Sequence, residues 1–160
     1  TKRKNKSAMA FEIDGVGWGL LRRLQENARL SFKQLGEAIG LTPPAVAERV
    51  RRLEESGVIS GYHAEVDLMR VGLPILAFVH MTSTNRQSER FRDAVGKIVE
   101  IIESYCVTGD ESYILKVAVP SVPHLEALLW KLKDYGEVRT SLVLSCQVSR
   151  RTIDSDSLLP

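Results

Sequence analysis

Residues 41–62, LTPPAVAERVRRLEESGVISGY, begin a helical pattern with two consecutive prolines. The residue before a proline is pushed toward extended dihedral angles, which is the conformation of a helix N-cap. Thr42 is therefore the predicted N-cap, and Pro43 and Pro44 fill the first two helical positions, where an N–H has no intrahelical partner. Because Pro44 has no N–H, the Thr42 side chain is expected to cap the Ala45 N–H.

The rest of this stretch predicts an amphipathic helix over about residues 42–56. Its apolar residues recur at the i, i+4, i+7 spacing of one buried face, which comprises Val46, Val50 and Leu53. Gly57 is expected to end the helix, with Val58 packing back on Leu53 as in a Schellman motif. Residues 58–67, which contain a Ser-Gly break, predict an extended wing and linker strand.

A second helix, over about residues 31–39, precedes this one. The sequence SFKQ predicts a capping box, in which Ser31 caps the Gln34 N–H and the Gln34 side chain reaches back to Ser31. Gly40 then ends the helix in a left-handed conformation. Two capped helices separated by so tight a turn have the spacing of a helix-turn-helix motif.

A first helix is predicted over residues 19–28, GLLRRLQENA. Gly15, Gly17 and Gly19 each weaken a helix by about 1 kcal/mol relative to alanine. We therefore expect this helix to begin no earlier than residue 19. The glycine run lacks the GxGxxG spacing of a dinucleotide-binding fingerprint, and no strand precedes it.

The second half of the chain alternates strands and helices in a different rhythm. In order, the predicted elements are a strand at 73–83, a helix at 88–98, strands at 102–109 and 112–120, a helix at 121–135 and a strand at 138–149. This β-α-β-β-α-β order is the ferredoxin-like split βαβ arrangement. The predicted fold class is therefore α+β, with a winged helix-turn-helix followed by a ferredoxin-like domain.

The composition is that of a globular protein, with 44% hydrophobic and 26% charged residues among 160. The longest apolar run, at residues 73–79, is far short of the ~20 residues of a membrane-spanning helix. No signal-peptide pattern is visible, so we expect a cytoplasmic protein without a membrane partner. Cys106 and Cys146 lie in apolar, strand-like runs and are predicted to be buried free thiols.

Charge is distributed unevenly along the chain. Residues 1–63 hold 11 Lys and Arg against 7 Asp and Glu, whereas residues 64–160 hold 11 against 13. A basic surplus in the N-terminal part fits contact with a polyanion. Four of the cations lie in residues 2–6, which are either an arm on nucleic acid or a solvated tail, and we favour the second interpretation.

Enzyme motifs are missing from the sequence. The three histidines, at positions 63, 80 and 124, are scattered and show no HExxH or comparable metal spacing. No GxSxG elbow or P-loop is present. We therefore predict a protein that is not an enzyme and has no metal or cofactor.

With these elements in order, the chain resembles the leucine-responsive/asparagine regulator (Lrp/AsnC) family of transcription factors over about residues 11–149. The strongest matches are GLTPPAVAERVRRLEESGVISGY at 40–62 and VTGDESYILKV at 107–117. The resemblance implies the following domains: DNA-binding helix-turn-helix 11–61, linker strand 62–72, ligand-sensing and oligomerisation domain 73–150, and flexible tails 1–10 and 151–160.

In the family, the helix that starts here at Pro43 would lie in the DNA major groove, N-terminal end first. Pro44 and Ala45 would contact base edges through apolar atoms, and Arg49 would reach a base edge or a phosphate. The residues implied for DNA contact are Lys33, Thr42, Pro44, Ala45, Arg49, Arg52 and His63.

The residues alone leave another interpretation open for the outer face of this helix. It can be a solvated surface held by i, i+4 ion pairs such as Glu48–Arg52 and Arg51–Glu55. Thr42 would then serve only as a helix cap.

The turn TGDESY, residues 108–113, joins the two middle strands. In the family this loop helps to line an amino-acid effector cleft between neighbouring dimers. Asp110 and Glu111 would receive the ammonium group, and turn N–H groups the carboxylate. The residues implied for effector binding are Tyr105, Thr108, Gly109, Asp110, Glu111, Tyr113, Arg139 and Ser141. The alternative is a plain hairpin turn with solvated acids.

Together these features predict a sequence-specific DNA-binding transcriptional regulator whose assembly or DNA binding responds to an amino acid or related metabolite. The expected partners are double-stranded DNA, the effector, and further copies of the chain. These copies would form a two-fold dimer through the linker strand and the apolar sheet, and then an octamer. The alternative is a ferredoxin-like small-molecule-binding protein that uses its helix-turn-helix for protein docking.

Overall fold

A computed structural model describes residues 12–158 of the chain, which divide into two compact units. The first comprises residues up to 64 together with residues from 148 onward, and the second comprises residues 65–147. The predicted flexible tail at residues 1–10 lies outside the described residues.

The first unit is built on three helices: α1 (Gly15–Glu26), α2 (Phe32–Ile39) and α3 (Pro43–Glu55). Their apolar faces meet in one small core. Its buried members are Leu20, Leu21, Leu35, Val46, Val50 and Leu53, which include the three residues of the predicted α3 stripe. The tight connection between α2 and α3 confirms the predicted helix-turn-helix.

Helix α1 begins at Gly15, so the expectation that it starts no earlier than residue 19 was wrong. Asp14 is its N-cap, and the carboxylate accepts a hydrogen bond from the Gly17 N–H at 2.7 Å. Gly17 is buried, and a Cβ there would lie 2.8 Å from Ile13 Cγ2. The N-cap offsets part of the low helix propensity of the glycines, and the close approach explains why position 17 has no side chain.

The capping box of α2 is confirmed. Gln34 N–H donates to Ser31 Oγ at 3.2 Å, and Ser31 N–H donates to Gln34 Oε1 at 2.9 Å. Gly40 ends the helix in the left-handed region, with φ 74°. Thr42 has the predicted extended backbone, but its side chain makes no capping hydrogen bond, so the expected cap on Ala45 was wrong.

The end of α3 matches the prediction in part. Gly57 is left-handed, with φ 77°, and its N–H donates to Glu54 O at 3.0 Å. The Leu53 carbonyl accepts from the Ile59 N–H instead of the Val58 N–H that a Schellman motif uses. The predicted wing and linker strand does not form, because residues 60–67 belong to no strand.

The second unit is a four-stranded antiparallel sheet with two helices on one face. Its elements are β1 (Ile75–Thr82), α4 (Asn85–Ala94), β2 (Ile101–Cys106), β3 (Tyr113–Val119), α5 (Val122–Leu132) and β4 (Glu137–Leu142). The strand order is β2-β3-β1-β4. This order and the alternation of elements confirm the ferredoxin-like fold.

The register gives the sheet two different faces, because side chains alternate along each strand. On one face, residues such as Val79 and Leu115, which lie opposite each other, pack on α4 and α5 in a single core with Phe91 and Leu128. The opposite face carries Leu76, Phe78, His80, Ile114 and Lys116. Within residues 65–147 no helix covers it.

Several element boundaries in this unit differ from the predictions, and the start of α4 and the end of β4 have identifiable causes. Helix α4 begins at Asn85 instead of 88, because Thr84 and Gln87 form a capping box that the sequence analysis did not use. Strand β4 ends at Leu142 instead of 149. The register places Ala77 of β1 opposite Leu142, and the Val143 N–H still donates to Leu76 O at 2.9 Å. Because β1 begins at Ile75, residues beyond 144 have no residue of β1 opposite them.

Residues 148–158 return to the first unit, although the sequence predicted a flexible tail from 151. The Gln25 side-chain amide donates to Ile153 O at 2.8 Å and accepts from Ile153 N at 3.0 Å. Arg22 lies 3.8 Å from Asp154. These contacts on α1 fix the segment, and a short 3₁₀ helix, Ser155–Leu158, follows.

Cys106 and Cys146 are both exposed, so the prediction of buried thiols was wrong. Cys106 is the last residue of the edge strand β2, and Cys146 lies beyond the end of β4. Among residues 12–158, no helix is long and apolar enough to span a membrane.

Candidate DNA-binding and ligand-binding sites

The N-terminal tip of α3 is an exposed part of the helix-turn-helix. Thr42, Pro43 and Pro44 are exposed, and Ala45 is half-buried. Since the Thr42 side chain does not cap α3, its hydroxyl is available to an external partner. The first turn therefore presents one hydroxyl beside an otherwise apolar surface.

The outer face of α3 is held by ion pairs around Glu48. Arg51 donates to the Glu48 carboxylate at 2.8 and 2.9 Å, and Arg52 donates to it at 2.9 Å. Arg51 also pairs with Glu55. Both pairs of the solvated-face interpretation, Glu48–Arg52 and Arg51–Glu55, are thus present.

These hydrogen bonds, first from Arg51 and then from Arg52, lower the pKa of Glu48 to about 2. A carboxylate whose folded pKa is depressed stabilises the fold above its ordinary pKa. That contribution is lost as the pH falls toward the folded value. The pairs on α3 therefore hold at neutral pH and weaken only in acid, between the ordinary pKa of 4.5 and about 2.

Arg49 contacts α1 instead of projecting from α3. Its guanidinium donates to both carboxylate oxygens of Asp14, at 2.7 and 3.0 Å. The hydrogen bond from Arg49 is the main cause that lowers the pKa of Asp14, followed by the Gly17 N–H. Arg49 therefore joins α3 to the N-cap of α1, 35 residues away in the sequence.

This geometry predicts coupled effects of Arg49→Gln and Asp14→Asn. If Arg49 acts by positioning α3, each variant should weaken DNA binding to a similar degree, and the double variant should be no worse than either single one. Binding constants for the four proteins test this coupling. A loss confined to Arg49→Gln would instead mean that Arg49 reads DNA directly.

Lys33 and His63 are exposed at the two sides of the motif. Lys33 starts α2 and lies 4.0 Å from Glu37. His63 follows Tyr62, whose hydroxyl donates to Glu54 at 2.9 Å and so ties residues 60–63 to α3. Burial first, and then this hydrogen bond, raise the pKa of Tyr62 to about 12.

The net charge of residues 12–64 is smaller than the net charge of residues 1–63, which include the basic N-terminal residues. Residues 12–64 hold seven Lys and Arg and seven Asp and Glu. The basic surplus therefore comes from residues 2–6, which lie outside the described part of the chain. Because residues 12–64 have no net positive charge, any contact of this unit with DNA phosphates would have to come from individual cationic side chains that lie next to them.

In the second unit, the turn between β2 and β3 is closed by a hydrogen bond from Val107 N to Ser112 O at 3.2 Å. Gly109 has φ 111°, which only glycine adopts without strain. The Asp110 carboxylate is exposed and has no partner among the described residues. Glu111 accepts from Arg139 at 2.6 Å and lies 3.8 Å from His80 Nδ1.

The predicted effector residues lie in two groups. Tyr105, Arg139 and Ser141 are on the sheet face opposite the helices, where the Tyr105 hydroxyl donates to Glu103. Tyr113 lies mainly in the core, only 6% exposed, with its ring edge-on to Phe91 at 4.9 Å.

The other group borders an open cleft of about 490 Å³ beside the turn. Thr108, Gly109, Glu111 and part of Tyr113 line it, whereas Asp110 lies outside. The opposite wall is one face of α4, formed by Asn85, Ser88, Glu89 and Arg92. Sequence reasoning missed this wall, although the i, i+3, i+4, i+7 spacing of four polar residues was visible.

The described residues contain no group of three or more His, Cys, Asp or Glu side chains arranged to hold a metal ion. Two family models match the chain. The AsnC-type helix-turn-helix domain matches residues 13–54, and the Lrp/AsnC ligand binding domain matches residues 76–153. The two matches correspond to the two units in order.

Characterised relatives span most of the chain. The regulator LrpC of Bacillus subtilis (strain 168) is 34% identical over 135 residues, which are 84% of this chain and 94% of that protein. The leucine-responsive regulatory protein of Escherichia coli (strain K12) is 36% identical over 148 residues, 88% of this chain and 90% of that protein.

Solved structures have the same architecture. The Bacillus subtilis LrpC structure superposes with a TM-score of 0.83 at 32% identity and covers 88% of this chain and 100% of that one. The feast or famine regulatory protein of Mycobacterium tuberculosis, complexed with L-methionine, gives a TM-score of 0.82 at 32% identity, covering 89% and 99%.

Proposed function

The chain belongs to the Lrp/AsnC family of transcriptional regulators, and from that premise we propose that α3 enters the DNA major groove under the control of an amino acid bound to the second unit. The chain is thus a transcriptional regulator with a helix-turn-helix and a ligand-binding domain. We further infer that it acts in the cytoplasm and is not an enzyme.

The observation that carries the DNA-binding proposal is the exposed tip of α3. Two prolines preset its first turn, so the helix presents a rigid end. Pro44 and Ala45 offer apolar atoms suited to thymine methyl groups. We assign phosphate contacts to the Thr42 hydroxyl and to the exposed side chains of Lys33, Arg52 and His63.

Arg49 was a candidate for base contact, and we propose a different role for it. Its guanidinium is occupied by Asp14, so it fixes the orientation of α3 on α1. Base recognition is then dominated by apolar contact and DNA shape at the helix tip.

We propose that the chain forms a two-fold dimer through the uncovered sheet face. Phe78 and Ile114 lie diagonally across β1 and β3 on that face, which also carries Leu76. These apolar side chains are removed from water only if another layer packs on the face. A second copy supplies the same apolar surface by symmetry, as isologous interfaces do. Further assembly to an octamer would place the effector between dimers.

We propose that the effector is an amino acid, as in the L-methionine complex of the Mycobacterium tuberculosis relative. It would favour one assembly or dimer geometry over another. A coupling of about 1–3 kcal/mol between effector and DNA sites is typical of such control.

The salt dependence of DNA binding tests the proposal. For a mixed-sequence duplex, the logarithm of the binding constant should fall linearly with log salt. Lys33→Ala should make that slope shallower by about 0.9 if Lys33 contacts one phosphate. Lys97→Ala, which removes an exposed lysine from the second unit, serves as the matched control and should leave the slope unchanged.

A protein-docking role for the helix-turn-helix is the second candidate. It is favoured by the electroneutrality of residues 12–64, because non-specific DNA affinity comes from net positive charge. The docking role would be supported, and the groove proposal contradicted, if the chain bound no duplex DNA or if its affinity for duplex DNA did not change with salt.

A further inference from the structure

The cleft beside the turn between β2 and β3 has one wall made entirely by polar side chains of α4. Asn85, Ser88, Glu89 and Arg92 occur at i, i+3, i+4 and i+7, so they share one helix face. The opposite side of α4 carries Phe91, which is fully buried in the core. The polar wall is therefore fixed in place by the packing of the helix.

Glu89 and Arg92 have opposite charges and adjoin each other on this face, yet they form no ion pair. Side chains three apart on a helix have Cβ atoms about 5–6 Å apart and can pair. Neither charge has a hydrogen-bonding or ionic partner among the described residues. Both therefore remain available to the cleft, one as an acceptor and one as a donor.

The turn completes the other wall. The backbone N–H groups of Thr108 and Gly109 make no hydrogen bond within residues 12–158, and both residues line the cleft. Cleft-lining hydroxyl and amide groups come from Asn85, Ser88, Thr108 and Ser112. The apolar part of the lining comes from Cys106, Val107 and part of Tyr113, and polar groups make up the larger part.

A free amino acid carries an ammonium and a carboxylate on the same carbon. These two charges are complementary to the Glu89 carboxylate and the Arg92 guanidinium, which lie about one helical turn apart on α4. We propose that Arg92 binds the effector's carboxylate and Glu89 its ammonium, and that the polar lining selects a polar side chain. This inference rests on the proposed amino-acid sensing and assigns it to α4, a helix that the sequence analysis did not implicate.

A thermal-shift screen of the full-length chain with the twenty common L-amino acids tests the assignment. We expect polar amino acids to raise the melting temperature, and branched aliphatic ones and methionine not to. For the strongest amino acid in the screen, titration should show that Arg92→Gln and Glu89→Gln each weaken binding at least about tenfold.

Two matched controls lie on the same helix. Arg86→Gln and Asp93→Asn make the same charge changes outside the cleft and should alter affinity less than about twofold. The wild-type protein provides an independent check, since the N-acetyl and carboxamide derivatives of the same amino acid should each lose binding.

The outcomes separate the two proposals. Binding that survives both cleft variants, or a response to apolar amino acids alone, would overturn the assignment to Glu89 and Arg92 while leaving amino-acid sensing in place. A response to none of the twenty amino acids would overturn the sensing proposal and this inference together.

Discussion

Replacing Gly36 by alanine is expected to disrupt the helix-turn-helix and abolish DNA binding. Gly36 is buried in α2, where the chain turns back toward α3, and its carbonyl accepts from the Leu41 N–H at 3.0 Å. A Cβ there would lie 2.3 Å from the Leu41 carbonyl oxygen. Because this oxygen belongs to the backbone of the turn, the methyl group can be accommodated only if the turn opens.

We expect Gly36→Ala to lower the free energy of unfolding of the first unit by about 3 kcal/mol, at the upper end of the cost of overpacking. Chemical denaturation followed by circular dichroism measures this change. Gly19→Ala is the matched control, since its Cβ would meet Ile39 Cγ2 at an ordinary 3.7 Å.

A helical glycine replaced by alanine without strain should stabilise the protein, so Gly19→Ala should gain about 0.5–1 kcal/mol. Opposite signs for these two substitutions would confirm the close approach of α2 to the turn. If both substitutions raised the free energy of unfolding by the same amount, the turn after α2 would have to be wider than described.

A glutamate at Phe78 is expected to convert the proposed dimer to monomers. Phe78 is central on the uncovered sheet face, opposite Lys116 on β3 and Ser141 on β4. In an isologous interface near the axis, the two glutamates would lie close together, so each copy would bury a charge beside a like charge. Lys116, which lies opposite position 78, is already paired with Glu103 at 2.9 Å. We expect the dimer dissociation constant to rise at least about a hundredfold, as for an interface hot spot.

Light scattering after size-exclusion chromatography measures the oligomeric state of Phe78→Glu. Val122→Glu is the control, because Val122 is an exposed apolar residue at the start of α5, where an acidic side chain suits the helix dipole. A Phe78→Glu protein that remains a folded dimer would show that the copies associate through another surface.

Local chemistry allowed most elements to be predicted from the sequence. The box formed by Ser31 and Gln34, the left-handed Gly40 and the stripe containing Val50 all depend on residues within one or two turns. The same TxxQ pattern at Thr84 and Gln87 was present in the sequence but was not used, which placed the start of α4 too late.

The misplaced features have two kinds of cause. The start of α1 is set locally by the Asp14 cap on the Gly17 N–H, a signal that was present in the sequence, whereas the pair of Asp14 with Arg49 joins two separate helices. The end of β4 depends on where β1 begins, and the return of Ile153 to Gln25 joins residues 128 apart. No local pattern encodes such pairs.

Some features of the candidate sites could be predicted from local sequence, and others depend on how distant elements pack. Exposure of the α3 tip followed from its own sequence, including the two prolines. The occupation of Arg49 by Asp14 and the separation of Tyr105 from the cleft became visible only after the elements packed. The cleft itself combines α4 with a turn that is distant in sequence, so its polar wall could not be assigned from spacing alone.

Sequencing the DNA that the full-length chain recovers from a random duplex pool tests the central claim most directly. We predict enrichment of a pseudo-palindrome whose half-sites lie about one helical turn, roughly 10 bp, apart. Pro44→Ala should change the enriched bases while leaving the fold intact. Recovered sequences indistinguishable from the unselected pool would contradict the claim that α3 reads DNA.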